Sequence, residues 1–284
     1  MTTITVAHSP DSDDAFMHYA LAENKIDTQG IEFRHVLKDI ETLNRLAHDG
    51  TYEVTAISTH AYAYLADKYA LLPHGASMGE GQIEKPYGPM VVARNNYSHE
   101  ELKLKTVAIP GEMTSSYLAL KLFAPQIKTV AMPFDEILPA VVNGEIEAGL
   151  LIHEGQLTFG DEGLHEIVNL AVWWAQETSG LPLPLGGNAI RRDLEPELAR
   201  TVSKLLRQSI EYSLSHRNEA LDYAMQFARG LETRRDRADT FVGMYVNSRT
   251  LDYGDDGRRA VQLFLDIGHE SGVLPQHVDV VFAE

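Results

Sequence analysis

The sequence contains no cysteine and is poor in basic side chains, and each shortage excludes a class of protein. Without cysteine the chain has no disulfide framework, no thiol nucleophile and no thiolate metal site. It carries 24 Lys and Arg against 41 Asp and Glu, so its formal net charge is −17. Nucleic acids and anionic membranes are bound by clustered basic surfaces. We therefore expect neither as a partner.

Long apolar runs are also missing, and no segment is apolar enough to span a bilayer. The first twenty residues lack the basic start of a secretory signal, and His8-Ser9-Pro10-Asp11 interrupts their only apolar stretch. Of the 284 residues 44% are hydrophobic and 23% are charged, which is ordinary for a globular chain with a sizeable core. These features predict a soluble, cytoplasmic, acidic protein.

Short apolar runs alternate with segments of helical periodicity, which is typical of βαβ units around a largely parallel sheet. The predicted strands are 4–7, 31–37, 53–57, 88–94, 106–109, 128–132 and 148–152. The predicted helices are 39–48, 61–66, 115–123, 135–143, 194–216, 220–228 and 258–270, besides one that begins near Phe16. The sequence therefore predicts an α/β fold.

The βα pattern runs through two similar cycles, which predicts two lobes. We expect lobe I to contain residues 1–93 and 187–284, and lobe II to contain 94–186. Two extended crossings, near 90–94 and 181–190, would join them and form a hinged cleft. Ligands of open α/β sheets bind beyond the carboxyl ends of the strands, so the residues after each strand are the candidates for the site.

Three aspartates follow the first predicted strand. For Asp11 and Asp13 we favour helix capping, because carboxylates at a helix start accept hydrogen bonds from its unpaired N–H groups. A hard-cation site is the alternative, but no second acidic cluster is evident to complete it. The sequence therefore predicts no metal.

Hydroxyl residues follow strands in both cycles. Ser58 and Thr59 either cap the next helix or contact a ligand. Thr114, Ser115 and Ser116 follow a glycine turn and begin a helix, which offers O–H and N–H donors for a carboxylate or phosphate. We favour the ligand interpretation for this second turn, although capping remains open.

His153 ends the last strand of the second cycle, where its side chain would point into the cleft. Its ordinary pKa suits proton transfer near neutrality, but a hydrogen-bonded structural histidine is more typical of such a position, and the residues alone favour that interpretation. Glu154 is interpreted as a solvated loop residue. No histidine pair has zinc spacing, and no nucleophile-elbow or Walker sequence occurs. Any catalysis would therefore proceed by proton transfer.

Several segments together resemble the 1,4-dihydroxy-6-naphthoate synthase family of the futalosine route to menaquinone. The segments that carry the resemblance are Ser9-Pro10 with Asp14 and Phe16, 41–45, Gly88-Pro89, Gly149-Leu150 with Ile152-His153-Glu154, and Trp173-Trp174 with 180–186. They are spread over nearly the whole chain.

The resemblance implies a two-lobe, periplasmic-binding-protein-like (type II) fold with a hinged cleft. It also implies a cytoplasmic carbon-carbon lyase that converts cyclic dehypoxanthinylfutalosine to 1,4-dihydroxy-6-naphthoate without a metal or organic cofactor. The general base of the family falls on His153. The residues expected to contact a carboxylated small-molecule substrate are Asp14, Ala56, Ile57, Ser58, Thr114, Ser115 and Ser116.

The chain also departs from its relatives. They commonly carry Cys where Asp11 stands and Asn where Asp13 stands, and some place Lys before the Leu-Ser that matches Ile57-Ser58. Residues 82–86 look inserted, and Lys85 would add a cation only if this segment covers the cleft. Two alternatives stay open: a solute-binding protein for a small anion, and the sister chorismate dehydratase. The oligomeric state cannot be inferred from the sequence.

Overall fold

The computed structural model describes residues 2–228, 230–231 and 233–283, and it contains two β-sheets flanked by helices. The first sheet has the strand order β2-β1-β3-β11-β4, with β5 paired to β11. Its strands are β1 (Thr2–His8), β2 (Ile31–Leu37), β3 (Val54–Ser58), β4 (Tyr69–Leu71), β5 (Ser77–Gly79) and β11 (Leu183–Arg191).

The second sheet has the order β10-β6-β9-β7-β8. Its strands are β6 (Met90–Ala93), β7 (Thr106–Ile109), β8 (Lys128–Ala131), β9 (Ala148–Leu151) and β10 (His165–Asn169). In each sheet three neighbouring strands are parallel, and antiparallel strands extend it. The crossings between the sheets therefore precede β6 and β11, while the division into lobes stays a prediction.

Thirteen α-helices occur in the described ranges. They are α1 (Ser12–Ala22), α2 (Ile40–Ala47), α3 (Thr59–Tyr62), α4 (His99–Leu102), α5 (Ser115–Phe123), α6 (Phe134–Asn143), α7 (Gly155–Thr158), α8 (Leu170–Glu177), α9 (Pro196–Ser215), α10 (Arg217–Ala224), α11 (Arg235–Tyr245), α12 (Ser248–Leu251) and α13 (Gly254–Glu270). Within those ranges, none of the helices is both long and apolar enough to cross a membrane.

Most helices and strands of the two βα cycles lie close to their predicted bounds. Their apolar periodicity predicts them well because it reflects which faces of a helix or strand are buried. The helix expected at 61–66 is wrong: α3 begins at Thr59 and is a single turn. Sequence reasoning also missed the short strands β4 and β5. These have three residues each and depend on pairing with the distant β11.

One apolar cluster connects the two sheets. It contains Ile57 of β3, Val107 of β7 and Phe264 of α13. Trp174 lies in the same cluster, where its indole Nε1 donates to the carbonyl of Pro182 at 2.9 Å. The shared core fixes the carboxyl ends of the parallel strands of both sheets against each other, and those ends carry the polar residues.

Candidate active site

A cavity lies at the carboxyl ends of the strands and is lined by residues of both sheets. Small molecules commonly bind in concave sites of this kind. All eight residues predicted from the sequence to act on the substrate line it: Asp14, Ala56, Ile57, Ser58, Thr114, Ser115, Ser116 and His153. The fold thus brings them together, while the role of each stays a prediction.

Asn44 of α2 positions Ser58, and sequence reasoning missed this residue. Its Nδ2 donates to Ser58 Oγ at 3.0 Å and to the Met113 carbonyl at 3.3 Å, and its Oδ1 accepts from the Ser58 amide at 2.8 Å. Ser58 makes no side-chain cap on α3, so the capping interpretation is wrong for this residue. A buried amide that links β3 to the turn before α5 positions both walls of the cavity.

The three hydroxyl side chains of the turn before α5 make different contacts. Thr114 caps the helix, since its Oγ1 accepts from the Tyr117 amide at 3.2 Å. Ser115 joins the walls of the cavity, because its hydroxyl donates to the Leu185 carbonyl and accepts from the His60 amide. Ser116 contacts the protein through Thr114 Oγ1 at 3.0 Å. Ser116 and the first-turn N–H groups of α5 are therefore the donors of this turn best placed for an anion.

The cavity wall includes buried polar atoms that make no hydrogen bond within the described residues. Among them are Ser9 Oγ, Asp11 Oδ1 and the amide Nδ2 of Asn188. Native proteins pair nearly all such groups, so each of them points to a polar ligand in the cavity. Asn188 lies on β11 and is 2% exposed. Its signal in the sequence, an Asn after paired glycines in an apolar strand, was too weak to identify it.

His153 follows β9 and faces the loop after β1. Its Nδ1 lies 3.3 Å from Asp11 Oδ2, and the side chains are 14% and 4% exposed. The ring of Phe134 meets the imidazole edge-on, with 4.2 Å between ring centroids. Asp11 stands at the N-cap of α1 but makes no side-chain cap, so the capping interpretation of Asp11 is wrong. Its carboxylate is directed at the histidine instead.

Glu154 is 3% exposed, so its interpretation as a solvated loop residue is wrong. Its Oε1 accepts a hydrogen bond from Ser12 Oγ at 2.9 Å, because the chain after β9 packs against the start of α1. Burial, and then the negative charge of Asp11, raise the pKa of Glu154 to about 8. Burial and the same neighbour raise the pKa of Asp13 to about 7.

Asp14 accepts from the Ser9 amide at 2.8 Å, and burial followed by the charge of Asp13 raises its pKa well above the ordinary value. The raised pKa values favour the protonated forms of these carboxyl groups. The cavity is therefore less negative than its composition implies. The described residues that line it include no Lys or Arg, and Lys85 is exposed and outside the lining.

Comparison with known proteins gives a family model described as menaquinone biosynthesis, which matches residues 4–270. A 1,4-dihydroxy-6-naphthoate synthase of Thermus thermophilus is 40% identical, with 92% of each chain covered. A protein of the same name from Streptomyces coelicolor is 33% identical, covering 96% of this chain and 95% of its own.

The crystal structure of a protein from Archaeoglobus fulgidus has a TM-score of 0.89 at 46% identity, covering 95% of this chain and 98% of its own. A Candida albicans protein described as having the generic periplasmic-binding-protein fold has a TM-score of 0.72 at 14% identity, covering 100% and 98%. The predicted fold class is confirmed.

Proposed function

Because this chain belongs to the menaquinone biosynthesis family, with relatives named as enzymes of that route, we propose that it is the lyase that forms 1,4-dihydroxy-6-naphthoate from cyclic dehypoxanthinylfutalosine. One observation carries the proposal. His153 lines a cavity beside a buried carboxylate, and the same cavity contains donors suited to a carboxylated substrate. The cytoplasm is part of the same proposal as the place of reaction, and fractionation of cells would test it.

His153 acts as the general base in this proposal. Since Nδ1 faces the Asp11 carboxylate, the proton of the neutral ring is favoured on Nδ1, and we assign proton abstraction to Nε2. The positive charge that develops on the imidazole is stabilised by Asp11 at 3.3 Å. Phe134 holds the plane of the ring. Loss of the proton starts the fragmentation that releases the dihydroxynaphthoate and a sugar-derived fragment.

The carboxylate of the substrate lies against the hydroxyl turn. The first-turn N–H groups of α5, Ser116 Oγ and Asn188 Nδ2 supply donors, and the helix dipole favours a negative charge at this point. Apolar wall residues such as Ile57 and Leu185 would cover the aromatic ring. Among the described residues that line the cavity, these donors hold the anion without a lysine or arginine.

The purified chain is the test. We expect it to convert cyclic dehypoxanthinylfutalosine to 1,4-dihydroxy-6-naphthoate, detected by mass spectrometry, and to leave chorismate unchanged. Formation of a dehydrated product from chorismate alone would assign the sister activity. Tight binding of the substrate without turnover would assign a solute-binding role. Either result overturns the proposal.

Asn188→Asp should raise KM by about tenfold or more with a smaller change in kcat. The substitution keeps the shape but replaces a buried donor by an oxygen that repels the substrate carboxylate, and a hydrogen bond to a charged group contributes about 1.5–3 kcal/mol. Steady-state kinetics measure the changes in KM and kcat. Asn96→Asp, which adds the same charge at an exposed position, should leave KM unchanged. An unchanged KM in Asn188→Asp would remove this residue from the site.

A further inference from the structure

Asp11, His153 and Glu154 form a compact group of metal-ligating side chains. Each offers one ligand atom, and the three atoms lie within 4.8 Å of one another. Asp11 follows β1 of the first sheet, whereas His153 and Glu154 follow β9 of the second. The sequence argued against a cation because no second acidic cluster was evident to complete the site. Packing of the two sheets places His153 and Glu154 beside Asp11.

The spacing of the His153 and Asp11 pair fits two ligands of one metal ion. Zinc bonds to imidazole nitrogen and carboxylate oxygen measure about 2.0–2.2 Å, which separates two ligand atoms of a tetrahedral site by about 3.3–3.5 Å. His153 Nδ1 and Asp11 Oδ2 are 3.3 Å apart. The pair therefore needs no large rearrangement to bind a metal.

A second observation concerns the other oxygen of Asp11. Its Oδ1 is buried and accepts no hydrogen bond from the part of the chain that the structure describes, and the Asp11 side chain is 4% exposed. Leaving such an acceptor unpaired is unfavourable. A cation held by both oxygens of Asp11, together with His153 and Glu154, would satisfy it.

Glu154 is already oriented for this role. Ser12 Oγ donates to its Oε1 at 2.9 Å, and hydrogen bonds of this kind commonly orient metal-ligating carboxylates. The set of one imidazole and two carboxylates suits zinc, cobalt or manganese better than magnesium, which prefers oxygen ligands alone.

We propose that Asp11, His153 and Glu154 bind one divalent transition-metal ion of the zinc class, with the remaining position open to the cavity. The ion would occupy the imidazole nitrogen that faces Asp11, and the ring proton would then sit on the opposite nitrogen, where the base must act. A consequence that rests on the proposed function is that metal and catalysis exclude each other, so zinc acts as an inhibitor.

Binding is measured first, without substrate. Chelator-treated protein is titrated with Zn²⁺ by calorimetry and with Co²⁺ by visible absorption, and we expect one ion per chain. Asp11→Asn and Glu154→Gln should each weaken Zn²⁺ binding by at least about 10- to 100-fold, since even outer-shell changes have effects of that size. Melting temperatures without metal confirm that both variants fold.

Asp266→Asn is the matched control. Asp266 Oδ1 lies 3.1 Å from His277 Nε2, so it removes the carboxylate of a similar but exposed pair. Zn²⁺ affinity should not change in this variant. Equal loss in all three variants, or parental affinity in both Asp11→Asn and Glu154→Gln, would overturn the site.

The inhibition is measured separately. Zn²⁺ should slow turnover of the parental enzyme at the concentration that saturates the site, and chelation should restore it. Saturation of the site without any change in turnover would overturn the exclusion of catalysis by metal. If the chain turns over no substrate at all, the proposed function fails while the calorimetry still decides the site.

Discussion

His153→Asn is expected to lower kcat by about 10²- to 10⁴-fold, the usual contribution of a general base. The asparagine amide keeps a donor near the position of Nδ1, so the contact with Asp11 at 3.3 Å can persist, but the group that takes the proton is lost. KM should change little, because donors elsewhere in the cavity hold the substrate carboxylate. Single-turnover kinetics with the cyclic substrate measure the loss.

His99→Asn is the control for that experiment. The His99 ring also meets a phenylalanine edge-on, at 5.2 Å from Phe123, and its Nε2 lies 3.1 Å from the Ile167 carbonyl, but it does not line the cavity. The kcat of His99→Asn should stay within about twofold of the parental value. Parental turnover by folded His153→Asn would assign the base to another residue.

A buried histidine cluster predicts the second large effect, on stability at acid pH. His8 Nε2 lies 3.1 Å from His35 Nδ1, and the rings of His8 and His18 are 4.4 Å apart. Burial, then repulsion from His35, lowers the pKa of His8 to about 3. Burial, then the charges of His8, His35 and His74, lower the pKa of His18 well below its usual value.

The direction of the pH effect follows from comparing proton binding in the folded and unfolded chains. In the unfolded chain these histidines bind a proton near their ordinary pKa of about 6.5, whereas in the folded protein they stay neutral to much lower pH. Each therefore makes folding less favourable as pH falls below about 6.5, by up to about 1.4 kcal/mol per pH unit. The raised pKa values of Asp14 and Glu154 act in the opposite direction, so the test compares variants.

His18→Leu removes one such group. Relative to the parent, its free energy of unfolding should improve by about 2 kcal/mol between pH 6.5 and pH 5, the effect of one proton over that interval. Urea unfolding at several pH values measures the difference. His165→Leu, at an exposed position of β10, is the matched control and should change the pH dependence less than His18→Leu does. Parallel curves for parent and His18→Leu would show that the cluster does not stay neutral.

The strands and helices that could be predicted are those with a clear local pattern of apolar residues. The strand 106–109 and the helix 115–123 coincide with β7 and α5, because alternation and helical periodicity follow directly from which side chains are buried nearby. The predicted site residues share one cavity for a related reason, since the carboxyl ends of parallel strands meet at one edge of a sheet.

The sequence by itself determined the α/β order of elements, the polar residues at the strand ends and, through the resemblance, the candidate base His153. Only the tertiary structure decided what surrounds that base. Ser12 and Glu154 are 142 positions apart yet hydrogen-bonded, and Asp11 faces His153 across two sheets. No local pattern encodes such contacts, because they depend on how the sheets pack over a common core. From the sequence, Asp11 was expected to cap a helix and Glu154 to be solvated. The packing of the two sheets instead buries both residues beside His153.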